Sequence, residues 1–248
     1  MSPPVPVPSP PPARGSIDLY WLPLGAGGRS VHWNGRLYEA LAAWREHRPA
    51  RNLYHSALEV TYGGSRYVIE MAPVWNEAAR DRGVVREGPV GAPWLGRYRA
   101  FRYEVRCWCE GHIPDVTEAV QSPQRVSDDP APAAAVLKIL SSVPPLTWGR
   151  DELGSGDMWN SNSLVSWLLA RTGHNMAEIR PPAGGRAPGW LAGLALASRQ
   201  DSAVDRALPV PVPGAGAPRD EGAVSSPTRQ RAALLVQGPG RDRSARPK

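Results

Sequence analysis

Two short stretches combine residue types that can do chemistry. The first is LYHSALEVTY at 53–62, where His55 opens a β-rich run and its imidazole can serve as a general base near neutral pH. The second is WNSNSLVSWLL at 159–169, where Asn160, Ser161, Asn162 and Ser163 crowd the start of an apolar helical pattern. Any of these four can be the N-cap that accepts a hydrogen bond from an orphaned backbone N–H, which by itself explains short polar residues there. A helix needs only one cap, however. The surplus leaves hydroxyls and amides at the positive end of the helix dipole, where a nucleophile and a developing oxyanion are both favoured.

Strand alternation places His55 on one face with Ala57, Glu59 and Thr61, and Ser56, Leu58, Val60 and Tyr62 on the other. If Gly63-Gly64 forms the centre of a tight turn, position 62 pairs with 65 and 55 with 72. Glu70 then stands diagonal to His55 on the same face, where a carboxylate orients the imidazole and favours its charged form. The alternative is a structural histidine with an incidental acid nearby. Asp151, Glu152 and Asp157 add polar groups to the loop before the 161–173 helix.

Other features carry less chemistry. Gly25, Gly27 and Gly28 complete neither a dinucleotide fingerprint nor a P-loop. His112 in EGHIPD reads as a turn residue, and His32 and His174 lack partners at diagnostic spacing. Cys107 and Cys109 share a strand face and cannot readily bridge each other. With no second cysteine pair or histidine pair at ligand spacing, they predict no metal site and no cofactor.

These residues need a scaffold. IDLYWL at 17–22 predicts a strand, and GRLYEALAAWREH at 35–47 a helix that leaves His47 at its solvated end. The hairpin around Gly63-Gly64 follows, then a strand over 99–109 and a helix over 132–143 capped by Asp128-Asp129 and ended by Pro144-Pro145. The next helix, SNSLVSWLLARTG, buries Leu164, Val165, Leu168 and Leu169 and stops at Gly173. GGRAPGWLAGLALAS at 184–198 predicts a Gly/Pro-rich turn and a last buried strand. The order α-β-β-β-α-α-β with a long antiparallel component makes the fold α+β, an antiparallel sheet packed against helices.

A strand-borne histidine in HSALEV, a hairpin, a further strand, and then Asn-X-X-X leading into an apolar helix resemble the circularly permuted papain-like fold of NlpC-like peptidases and lecithin retinol acyltransferase-like proteins. In that family the histidine comes first, and a cysteine at the later helix start commonly follows Asn in an N-C-x-x-F/L-V pattern. Here Asn160 matches the Asn, Leu164 and Val165 match the apolar pair, and Ser161 stands at the nucleophile position. The resemblance covers about His55 to Gly173. The domain is also similar to a group of actinobacterial or fungal proteins carrying MWNSNS and GGRAPGW.

The resemblance implies acyl transfer: the hydrolysis of a peptide, amide or ester bond, or transacylation by an acyltransferase. Ser161 would be nucleophile and His55 base, with Glu70 or another polar group as third member and Trp159, Asn160 and Asn162 bordering the substrate and oxyanion region. Serine stays protonated where cysteine can be a thiolate, so Ser161 would depend more heavily on His55. The alternative within the same fold is a catalytically inactive module that binds a peptide or acyl ligand in its cleft.

Composition delimits the domain. Of 248 residues, 28 are Pro and 25 Gly, and all ten tryptophans fall within 16–198. That interval is large enough for one real hydrophobic core. Residues 1–15 read as a disordered Pro-rich leader and 199–248 as a disordered Arg/Pro/Gly-rich tail, both open to protein partners. The net charge of +6 resides mostly in the tails, with +4 from 199–248 and +1 from Arg14, so the domain keeps about +1. Nucleic acid is therefore an unfavoured partner, and a small-molecule or peptide substrate is the expected one. The longest nearly apolar run, Trp190 to Ala197, is far shorter than the roughly 20 residues a bilayer span requires, and the first residues lack a secretory pattern, so a cytoplasmic location is expected.

Overall fold

The computed structural model describes residues 14–24, 52–74 and 82–207. The expected helix at 35–47, the 25–28 glycines, His32 and most of both tails lie outside the described residues. β1 (Gly15–Pro23), β2 (Asn52–Tyr62), β3 (Ser65–Pro73), β4 (Val84–Pro89), β5 (Arg102–Cys109) and β6 (Gln124–Ser127) form one antiparallel sheet in the order β4-β5-β3-β2-β1-β6. A short β7 (Gly185–Arg186) adds in parallel to the start of β2. With α1 (Pro130–Ile139), α2 (Ser161–Arg171) and α3 (Trp190–Ala207), the architecture is α+β.

The sheet follows from alternation. Ile17, Leu19 and Trp21 of β1, Leu58 and Val60 of β2 and Tyr103 and Val105 of β5 enter one core with Leu164, Val165, Leu168 and Leu169 of α2. A smaller cluster of Leu22, Ala57, Val68 and Ile113 covers the opposite face. Gly63 and Gly64 have φ of +60° and +88°, the conformation that a two-residue hairpin turn demands, and Tyr62 pairs with Ser65 as the turn requires.

Past Leu58 and Ile69 the two strands of this hairpin part. β2 continues beside β1 down to the pair Tyr54 and Pro23, whereas β3 continues beside β5 to the pair Pro73 and Tyr103. The expected pairing of 55 with 72 is thus not made. Other groups occupy the freed edge of β2: β7 pairs with Asn52 and Leu53, and Asn162 Nδ2 donates to the Tyr54 carbonyl at 2.9 Å.

Asp129 caps α1 by accepting the Ala131 N–H at 2.8 Å. Gly173 follows the end of α2 with φ of +83°, and the His174 N–H reaches back to the Leu169 carbonyl, closing the helix. The buried strand expected at 190–198 is instead the first half of α3, which continues past Ser198 to Ala207. Its buried positions Ala192, Gly193, Leu196 and Ala197 recur at helical spacing. A Cβ on Gly193 would stand 2.1 Å from the Ser163 carbonyl oxygen, so this glycine lets α3 lie directly on α2. The strands β4 and β6 carry little signal in the sequence; one is charged and the other only four residues long.

Candidate functional site

The first turn of α2 assigns a task to each polar residue. Asn160 is the N-cap, its Oδ1 accepting from the N–H groups of Asn162 at 2.9 Å and Ser163 at 3.3 Å. Ser163 completes a capping box by accepting the Asn160 N–H at 3.0 Å, and its hydroxyl lies 2.7 Å from the Gly189 carbonyl. The side chain of Asn162 is fully used: Oδ1 accepts from Ser56 Oγ at 2.8 Å, and Nδ2 donates to the carbonyls of Tyr54 and Pro188. Asn160 Nδ2 also donates to Pro188. Of these four side chains, only the Ser161 hydroxyl has no hydrogen bond among the described residues, although the residue is just 5% exposed. The Ser161 N–H likewise stands outside the bonds that the cap makes.

The gap between β2 and β3 opens into a cavity of about 460 Å³, within the range of small-molecule sites. Its walls are mostly apolar and include Leu53, Met71, Ile113, Trp148 and Met158. His55, Ser161, Asn160, Asn162, Glu70 and Asp115 also border it. His55 and Ser161 therefore share one cavity, but they reach it from different sides. Ser56 faces α2, so alternation turns its neighbour His55 toward the opposite face of the sheet. No hydrogen bond joins His55 to Ser161 among the described residues.

Half-buried His55 has its imidazole pushed down to about 4 by desolvation, with the negative charge of Asp115 opposing that fall. Glu70 occupies the expected face and lines the cavity, but its Oε1 accepts from Arg106 Nη1 at 2.9 Å. Arg106 is the direct cross-strand partner of Glu70, and it also bonds Glu104, which in turn bonds Arg82 at 3.1 Å. Glu70 thus belongs to a buried ion-pair chain, and the acid whose charge acts on His55 is Asp115. Asp115 lies in the EGHIPD turn, where the sequence draws attention to His112 alone; that histidine is exposed and lies against Trp108 with the two rings tilted by 53°.

The remaining candidates are structural. Trp159 is 1% exposed in the main core and does not line the cavity. Asp157 caps α3, accepting from the N–H groups of Gly189 at 2.7 Å and Leu191 at 3.2 Å, while Asp151 holds the N–H groups of Ser155 and Gly156. Glu152 accepts from the Thr147 hydroxyl. His174 Nδ1 contacts Thr172 and the Leu169 carbonyl behind α2. Among the described residues no group of three His, Cys, Asp or Glu side chains could hold a metal ion, and no helix is long and apolar enough to cross a membrane. No known protein family, curated protein or solved structure matches the chain.

Proposed function

We propose that the protein is an acyl-transfer hydrolase acting on a peptide, amide or ester bond, with Ser161 as nucleophile and His55 as base. The observation that carries this reading is the Ser161 hydroxyl: among the described residues it is the one polar side chain at the α2 start with no structural hydrogen bond, and it borders a cavity with a neutral imidazole. The chain order, with the histidine on an early strand and Ser161 at a later helix start, supports a permuted papain-like type.

In the reaction, Ser161 Oγ attacks the carbonyl carbon and its proton passes to the His55 ring, a step that requires the two side chains to come within hydrogen-bond reach across the cavity they share. The resulting oxyanion is stabilised at the N-terminus of α2, including by the Ser161 N–H. The C–N or C–O bond then breaks, His55 returns the proton to the leaving group, and water releases the acyl group from Ser161. Asn160 and Asn162 act here as positioning residues, because their amides are committed to backbone carbonyls.

The second reading is a binding module of the same fold. It is favoured by the approach of His55 from the other sheet face and by the commitment of Glu70 to Arg106. A fluorophosphonate probe separates the two. The hydrolase reading expects labelling of the wild type that Ser161→Ala abolishes and His55→Ala strongly reduces. A folded wild type that takes no label leaves the binding module.

A further inference from the structure

The charge in the cavity is one-sided. Among the described residues no Lys or Arg lines it, and its two ionisable acids differ in availability. Glu70 is bonded to Arg106, which lies outside the lining, so the charges of that pair offset each other. His55 is uncharged at neutral pH because burial holds its imidazole down to about 4. Asp115 remains as the negative charge at the cavity wall, exposed to solvent on a left-handed turn with φ of +56°. In the same cavity, Ile113, Pro114, Leu53 and Met71 present apolar surface.

We propose that Asp115 makes this cavity selective for ligands that join an apolar body to a protonated amine, the chemistry of a hydrophobic aminoacyl or amino-terminal peptide group, and against those that end in a carboxylate. The apolar walls take the body by burial. The carboxylate of Asp115 accepts from the ammonium, and for an anion of the same shape the same carboxylate supplies repulsion. The inference rests on the cavity as the ligand site and holds for both the hydrolase and the binding module.

The test uses full-length protein carrying Ser161→Ala, so that no turnover occurs, and three probes of equal chain length: hexylamine, hexanol and hexanoate. Their dissociation constants at neutral pH are measured by ligand-observed NMR. The expected order is amine, alcohol, carboxylate, with about tenfold between the ends, the scale of one partly exposed charge acting on both. Adding Asp115→Asn should bring the ends within about threefold, the scale left once that charge is gone. Asn tolerates the left-handed backbone at this position. Asp115→Lys, as a second variant, should reverse the order. Equal binding of amine and carboxylate, no binding of any probe, or a preference that survives both substitutions would overturn the proposal. If the charge preference is present but no fluorophosphonate labelling occurs, the hydrolase reading falls and the selectivity stands. If labelling is lost on Ser161→Ala but no charge preference is found, the selectivity falls and the hydrolase reading stands.

Discussion

Ser56 Oγ donates to Asn162 Oδ1 at 2.8 Å, tying the residue after His55 on β2 to the residue after Ser161 on α2. Both side chains are within 1% of full burial, so the bond fixes how the strand and the helix start meet at the cavity. Ser56→Ala leaves a buried amide oxygen without its partner and should cost about 1–3 kcal/mol in urea denaturation. Asn162→Asp should cost more, since it replaces a two-fold donor facing the Tyr54 and Pro188 carbonyls with an acceptor. Both substitutions should also lower the rate of fluorophosphonate labelling.

Two serines in the first turn of α2 should separate function from folding. Ser163→Ala removes the capping box and its bond to Gly189, and should cost about 1–2 kcal/mol. Ser161→Ala removes no hydrogen bond among the described residues and should change stability by less than about 0.5 kcal/mol while abolishing labelling. Equal losses of stability would mean that Ser161 has a structural role.

Acid should act through His55. Its imidazole is lowered from 6.5 to about 4, so between those values the unfolded chain binds a proton that the folded chain does not. Stability therefore falls as pH drops from 6.5 toward 4 and levels off below, and His55→Gln should remove that part of the decline in thermal melts. The neutral ring is the base, so the acidic limb of kcat/KM should lie near 4. Asp115 favours the protonated ring, and Asp115→Asn should move the limb lower still.

The buried chain of Glu70, Arg106, Glu104 and Arg82 should be sensitive to loss of its central cation. Arg106→Met leaves two largely buried carboxylates without that partner and should cost about 3–5 kcal/mol by chemical denaturation. A loss below about 1 kcal/mol, the scale of an exposed pair, would show that the network is dispensable.

Much of the local architecture is legible in the sequence because it depends on short-range rules. Gly63-Gly64 marks the hairpin since two consecutive positive φ angles suit glycine. The apolar spacing of Leu164, Val165, Leu168 and Leu169 announces α2, whose residues Ser161 to Leu169 are all buried, and Asp129 announces the start of α1. The run Trp190 to Ala197 reads as a strand, although it folds as a helix, because it is apolar on nearly every side. The period of its buried positions emerges only once α3 lies on α2 through Gly193.

The candidate site divides in the same way. Local sequence nominates His55 and the Asn160 to Ser163 cluster, since their side-chain chemistry and their places at a strand and a helix start are both readable from neighbours. Tertiary structure decides which of the four polar residues is the cap, and that Ser161 alone of them is left without a structural bond among the described residues. It also decides where β2 and β3 part, that Glu70 goes to Arg106, and that Asp115, 60 positions from His55 in the chain, is the acid acting on it. The physical reason is that a hydrogen bond or a charge acts over a few ångströms of space. Which groups come that close depends on how β3 divides its pairing between β2 and β5, and no window of sequence around His55 contains that division.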